Sequence, residues 1–558
     1  MYPLVNEDDL FFQLCEVLNV GRGEGSGRFA HCDEEVVRAT VTSAFEVASR
    51  YFLPIAASCD EEEVQFIDGK IIFPNGIKEA VTAYMEAGFL TAPLSHEDGG
   101  LQLPLTVTQS CMALFQAANP PLAGFPFSTD AVANVIAAFG TPEQKKTILK
   151  PMRTGKWLGV FAMSEPNAGS SLGDLTTTAA PTAGDHYIIR GNKMWISGAG
   201  NDFCENQIHL VPARIEGAPP GPKGVSLFLV PRYRQDASGQ WKACNDVTVA
   251  GINKKMGYRA MSNTVLNLGE RDDCHGYLVG QAGVGLQHVF LLINEARLWV
   301  GMGAVMMAYT AYLQALDYAK NRRQGRLPSQ RAPGQSQVRI IEHADVRRML
   351  LAQKAAAEGG LALVLYCADL VDKQHCATDA GNHPVAEALE DRLSLLTPIA
   401  KAWPSEFCLE ANKLAIQVLG GYGYSREFPM ERLYRDARLN AIHEGTQGIQ
   451  ANDLVSRKLA AKGGMPVFEL LEDMKRECAD IITPLHECAE NFNAAVDAVQ
   501  KTVSFLIDLS TKGKSEQLLM NAASFLDAFG HLVIAWRWLV LARHARSAFD
   551  QGRVSEDF

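Results

Sequence analysis

A chain of 558 residues is too long for one compact core, and the length prior divides it into about three to four units of ordinary size. With 47% hydrophobic, 21% charged and 8% aromatic residues it has the make-up of a folded globular protein and not of a disordered one. The net charge of -11 is spread along the chain, which argues against nucleic acid and against membranes as main partners.

The first residues, MYPLVNEDDLFF, carry acids where an export signal needs positive charge, and no apolar stretch of signal type follows. Twelve cysteines are scattered with no CxxC pair, which fits reduced thiols, so a cytoplasmic location is expected. From about residue 35 to 155 the apolar spacing is helical, as in VVRATVTSAFEVASRYFLPIAA, with Gly/Pro-rich connectors. From about 158 to 285 it changes to short β-favouring runs such as HYIIRG, QIHLVPARI and GVSLFLVPRY, separated by Gly, Pro, Asn and Asp. Helical periodicity returns beyond about 286. Residues 298–316, LWVGMGAVMMAYTAYLQAL, carry no charge over nearly a membrane's thickness, but glycines and polar residues interrupt them, so a helix buried in a bundle is expected. Residues 322–337 read as a mobile or exposed connector, and amphipathic helices continue after about 460. The expected fold is α+β: an N-terminal helical domain (1–157), a small central β domain (158–285), a C-terminal bundle of four-helix type (286–460) and an appended helical region (461–558).

Several motifs are tested and set aside. The glycine-rich pieces at 21–27, 280–285 and 420–425 do not follow a strand and open a helix as a dinucleotide fingerprint requires. Thirteen histidines include no HExxH and no helical pair, so no metal site is expected, and there is no GxSxG. Three stretches stay open. FAMSEPNAGSSLGDLTTTA (161–179) offers hydroxyls and backbone N–H groups of the kind that hold phosphates or a heteroaromatic ring, although a turn with no ligand uses the same residues. In GNKMWISGAG (191–200), Trp195 and Ser197 lie two apart on one strand face and could stack on and bond a planar cofactor, or belong to the core. ALDYAKNRRQGR ends a helix in Arg322, Arg323 and Arg326, which is also ordinary cation placement at a helix C-terminus.

Taken together, SEPNAGSS, KMWISG, EHADVRR and IQVLGGYGYSREFPMERLYRDARLNAIHEGTQGIQ, with the α, β, α order, resemble the acyl-CoA dehydrogenase family from about residue 75 to 458. Chain length and the YAKNRRQGR form are similar to the large bacterial subgroup with a C-terminal helical extension, which includes 3-methylmercaptopropionyl-CoA dehydrogenase-like enzymes. The resemblance implies FAD, bound without a Rossmann fold. It implies that Met163, Ser164, Gly169 and Ser170 line the flavin, that Trp195 flanks its ring and that Ser197 bonds near N5. Arg322, Gln417, Gly420 and Gly421 match positions that hold the FAD diphosphate and adenosine of a neighbouring subunit, implying a homodimer or a dimer of dimers. Thr446 matches a further FAD contact; Asn294, Arg297, Ser170 and Gly445 match positions that meet the acyl-CoA substrate. Two departures, the missing Phe after Arg322 and Ala344 where many relatives carry Gln after His343, bear on the adenine-end contacts.

The implied reaction removes an α-proton and delivers a β-hydride to flavin N5 on opposite faces of one Cα–Cβ bond. The base is expected to be a carboxylate raised by desolvation, facing a thioester carbonyl polarised by the base's own backbone N–H and a ribityl hydroxyl. Glu444 fits, with Gly445 allowing close approach. Some relatives carry the base just before the Arg of the substrate helix, but here that residue is Ala296, and Glu295 lies about 100° round the helix from it. His443 is expected to be a packed histidine and not a second catalyst. Electrons are expected to pass to an electron-transfer flavoprotein. The alternatives are an acyl-CoA oxidase using O₂ and a non-catalytic flavin-binding DNA-associated relative; the acidic charge speaks against the last.

Overall fold

Both the helical ends of the chain and its β centre are realised in a computed structural model that describes residues 3–22, 27–330, 334–479 and 485–553. Residues 23–26 of the glycine-rich piece and 331–333 of the connector lie outside the described residues. The described chain falls into two units. One comprises residues 46–101 and 118–296, the other 1–45, 102–117 and 297–558.

The first unit is built on an eight-stranded sheet. Its strands are β1 (Trp157–Phe161), β2 (Thr178–Pro181), β3 (Tyr187–Ser197), β4 (Asn206–Ile215), β5 (Val225–Pro231), β6 (Val247–Ile252), β7 (Asn263–Leu268) and β8 (His275–Leu278). Their order is β6-β7-β3-β8-β5-β4-β1, with β2 paired to β3 and β4. β4 and β5 are buried almost from end to end because both faces are covered. Helix α1 (Pro120–Phe139) supplies Val132, Val135 and Ile136 to a core that also holds Ile208, Leu210, Leu227 and Leu229. One small element departs from the helical reading of the N-terminal region: Gln65–Ile67 and Lys70–Ile72 form a hairpin. Asp68 and Gly69 both take positive φ there, as a two-residue turn demands.

The second unit is a bundle of long helices: α2 (Gly285–Asn321, whose first turns belong to the other unit), α3 (Ala344–Asp379) and α4 (His383–Leu419). Helix α4 is capped by the Asn382 side chain and ends at Gly420, whose φ of +62° only glycine adopts readily. The apolar stretch of α2 is long enough to cross a membrane, yet 80% of it is buried inside the protein, as expected for a bundle helix. The connector after α2 is exposed but held, by Ile340 N–H to Arg322 O and Gln324 N–H to Val338 O. Backbone pairing, which side-chain polarity does not announce, thus ties the ends of the segment expected to be mobile.

A short helix α5 (Gln447–Asp453) follows, then α6 (Met465–Cys478), α7 (His486–Thr511) and α8 (Ala522–Asp550) of the C-terminal region. Close approach of α2 to α4 depends on one residue: a Cβ at Gly301 would run into the carbonyl oxygen of Ala400. Gly301→Ala is therefore expected to cost about 1–3 kcal/mol by overpacking. A lowered urea midpoint with an unchanged m-value would show it.

Candidate active site

The loop 161–179 is held from beneath by a buried ion pair. Glu165 accepts from Lys193 Nζ at 2.9 Å and from the N–H and hydroxyl groups of Thr176 and Thr177. Burial pushes the Glu165 carboxyl up, but Lys193 and these donors outweigh it and hold it at about 2. Burial lowers Lys193 to about 8, opposed by Glu165, so the pair is ionic at neutral pH. Lys193 also donates to the carbonyls of Met163 and Pro212, and Glu165 and Ala168 exchange backbone bonds that close the turn. The result is a rigid loop with Met163 and Ser164 half-buried and Gly169 and Ser170 at the surface.

Strand β3 carries the next pair. Its register against β7 slips between Thr264 and Leu266, and inside this bulge Trp195 has a φ of +66°. A bulky residue in the left-handed region is strained, and bulges of this kind re-aim side chains beside functional sites. Here the bulge buries Lys193 completely and leaves Trp195 56% exposed, although the two lie two residues apart. Ser197 lies exposed two residues on, its hydroxyl accepting from Asn263 Nδ2 at 3.3 Å. An exposed indole next to a hydroxyl, with open space at the Cβ position of Gly169, fits a planar ring bearing polar edges.

In the helical unit, Arg322, Gly420 and Gly421 come together around an open cleft of about 570 Å³. Tyr318 and Tyr422 also line it, and the Arg322 guanidinium lies 6.0 Å from the Tyr422 ring centre. Nothing lies within 4 Å of a Cβ built on Gly420 or Gly421, so the backbone is open to a close-approaching group. A cation, open glycine backbone and an aromatic face suit a diphosphate with an attached base. Gln417 is exposed one turn earlier and does not line the cleft. His343 Nε2 bonds to Gln324 O at 2.8 Å and so serves the connector.

Glu444 sits between a short turn of helix (Arg438–Ala441) and α5, with φ at +51° and Gly445 at +90°. Two donors inside the bundle hold this turn. Lys401 Nζ donates to Gly445 O at 2.7 Å, and Gln450 Nε2 donates to Glu444 O at 3.0 Å and to Gly445 O at 3.4 Å. A Cβ on Gly445 would lie 2.6 Å from Gln450 Nε2, so glycine is needed for this closure as well as for its φ. Thr446 caps α5, its hydroxyl accepting from Ile449 N–H, and remains exposed. Burial raises the half-buried Glu444 carboxyl, while the charges of Lys401 and Arg297 restrain it. Burial lowers the Lys401 ammonium to about 8, against the pull of Glu444. His443, which packs edge-on to Trp299, is lowered to about 3 by burial and then by Lys401, so it is a neutral ring at working pH.

Of the substrate-helix residues, Asn294 is exposed, whereas Arg297 is buried and donates to Asp453 at 2.8 Å. Glu295 is turned onto Asn134 of α1, whose amide donates to both of its oxygens. Sequence reasoning missed Lys401, Gln450, Lys193 and Glu165. The available signal was a lone cation in an apolar helical run, LLTPIAKAW, and a lysine on a strand of apolar alternation. Burial pushes Glu295 up to about 8, and Asp130 adds to it. A carboxyl raised on folding contributes stability below its ordinary value, about 4.3, that is lost as pH rises through the folded value. The melting temperature is accordingly expected to fall from about pH 5 to about pH 8 more steeply in the natural protein than in Glu295→Gln, measured by calorimetry.

Residues 34–156 match the description "Acyl-CoA dehydrogenase, N-terminal domain", 160–269 "Acyl-CoA dehydrogenase, middle domain" and 283–459 "Acyl-CoA dehydrogenase, C-terminal domain". Residues 470–558 match "Acetyl-CoA dehydrogenase C-terminal like". The chain is 30% identical to 3-methylmercaptopropionyl-CoA dehydrogenase of Ruegeria pomeroyi, over 98% of this chain and 92% of that protein. It is 31% identical to a broad-specificity linear acyl-CoA dehydrogenase of Mycobacterium tuberculosis, over 99% and 92%. The fold is that of the acyl-CoA dehydrogenase from Bacillus anthracis solved in complex with FAD, with a TM-score of 0.73, 23% identity and coverage of 92% and 82%.

Proposed function

The chain belongs to the acyl-CoA dehydrogenase family, FAD-dependent oxidoreductases of acyl-CoA thioesters, and from that premise we propose that Glu444 is the base that takes the α-proton. The observation that carries this reading is the environment of Glu444. It is a carboxyl raised by burial, on a left-handed turn fixed by two interior donors, with two cations close enough to keep the charged form attainable. A base must hold its proton weakly enough to start ionised and strongly enough to take one from carbon, and a carboxylate raised toward neutrality does both.

FAD supplies at N5 the acceptor for the hydride leaving the β-carbon. The protein's own residues do the remainder. Glu444 Oε takes the α-proton, and the N–H of Glu444 donates to the thioester carbonyl, where negative charge develops. Lys401 and Gln450 hold that N–H and carboxyl in place through the carbonyls of Glu444 and Gly445. Arg297 acts from inside the bundle as a charge beside Glu444, paired to Asp453, while Asn294 is the exposed contact of the same helix. Met163, Ser164, Gly169 and Ser170 would line the isoalloxazine, Trp195 would flank it and the Ser197 hydroxyl would bond near N5. Arg322, Gly420 and Gly421 would bind the diphosphate end of FAD held by a second copy of the chain, and Thr446 would donate its hydroxyl to the cofactor. Electrons leave to an electron-transfer flavoprotein.

Mixing the holoenzyme with a panel of acyl-CoAs without oxygen tests this. The flavin band is expected to bleach with a matched thioester, and rapid recolouring in air would favour the oxidase reading. Glu444→Gln is expected to retain FAD and slow bleaching by about 10²–10⁴-fold, the usual effect of removing a general base. Bleaching at the natural rate would remove Glu444 from the role. Lys401→Met removes a charge that lowers the Glu444 pKa. The acid limb of the bleaching rate should then move to higher pH by about 1 to 3 units, read from a pH profile.

A further inference from the structure

The C-terminal region reaches the segment that carries Glu444. Helix α5 has three side chains spaced three residues apart, which places them along one side. Gln450 returns to the Glu444 carbonyl, Asp453 takes Arg297, and Gln447 donates from Nε2 to Asp527 Oδ1 of α8 at 3.0 Å. Two of these bonds stay within the bundle; the third ties the turn to the extension.

Helix α8 is itself fixed beside Lys401. Trp403, two residues beyond Lys401 on α4, stacks on Phe407 at 4.8 Å and donates from Nε1 to His531 Nδ1 at 3.3 Å. Indole N–H only donates, so Nδ1 of His531 is the unprotonated nitrogen. Gly530 is required at this crossing, because a Cβ there would meet the Trp403 ring. Farther along, Trp538 donates to Ala355 O at 3.0 Å, Trp536 to Glu477 at 3.1 Å, and buried Arg537 lies 4.3 Å from the Tyr366 ring centre. The helix that offers Asp527 is therefore anchored at several points beyond that residue, and can act as a fixed reference.

We propose that α8 is the clamp that sets the position of Glu444, and that Asp527 is a positioning residue acting through Gln447. The inference rests on the reading of Glu444 as the base. Rigid placement matters for proton transfer from carbon, since small misplacements of a reacting group cost large factors in rate. The clamp acts after substrate is bound, so it changes the rate of flavin reduction and not substrate affinity.

Rapid mixing of holoenzyme with an acyl-CoA, across Asp527→Leu, Gln447→Leu, the double variant, Asp527→Asn, Lys512→Met and Glu444→Gln, tests the clamp. Asp527→Leu should reduce flavin about 10-fold or more slowly with acyl-CoA affinity changed less than about 2-fold. Gln447→Leu should match it, and the double variant should be no slower than either, the non-additivity expected of partners in one bond. Asp527→Asn keeps an acceptor oxygen and should restore the rate. Lys512→Met removes an exposed bond to Asp508 at the end of α7, outside the clamp, and should leave the rate unchanged. An Asp527→Leu protein that reduces flavin normally, or a Lys512→Met protein slowed as much, would overturn the clamp. If Asp527→Leu does not fold, Gln447→Leu against Asp527→Asn decides the same question. Normal bleaching by Glu444→Gln would instead defeat the reading of the base.

Discussion

A lysine ammonium inside a helix bundle fixes the turn that carries Glu444. Lys401 is fully buried, and its bond to Gly445 O holds two successive residues, Glu444 and Gly445, in left-handed backbone conformation. A buried cation is costly unless it is bonded and faces opposite charge, and the turn at 444–445 supplies both a carbonyl and a carboxylate. The dependence is mutual. Without the turn Lys401 would be a stranded charge, and without Lys401 the turn would lose the donor that keeps it strained.

The same logic recurs in the β unit. Glu165 and Lys193 are buried together beneath the loop 161–179, and five bonds to the Glu165 carboxylate make the loop rigid. The bulge that buries Lys193 is also what leaves Trp195 exposed on the opposite side. In each unit an interior cation thus accompanies a strained residue: exposed Trp195 in one, half-buried Glu444 in the other. Strain of this kind persists where surrounding bonds over-determine it, and it gathers at functional positions.

Much of this was legible in the sequence. The α, β, α order follows from apolar periodicity alone, and Glu444 stands out as an acid among small and apolar residues with a glycine after it. The cluster of Arg322, Gly420 and Gly421 was legible only through family resemblance, because nearly a hundred positions separate the arginine from the glycines in the chain. Gln450 and Asp527 were not legible, since a lone polar residue on a helix has no spacing signal and its partner is chosen by the fold. Arg297 was read toward substrate, and its bond to Asp453 became visible only once the bundle brought residues 156 positions apart into contact. The hairpin at 65–72 was missed although its Asp-Gly turn was there to read, because helical periodicity on either side dominated the window.

The most direct test of the central claim follows the proton itself. An acyl-CoA analogue with sulfur at its third position has no β-hydrogen to give, so the holoenzyme in heavy water can exchange only the α-proton. Exchange followed by NMR or mass spectrometry should be rapid in the natural protein and slowed by about 10²–10⁴-fold in Glu444→Gln, with FAD still bound. Equal exchange rates in the two proteins would contradict the account.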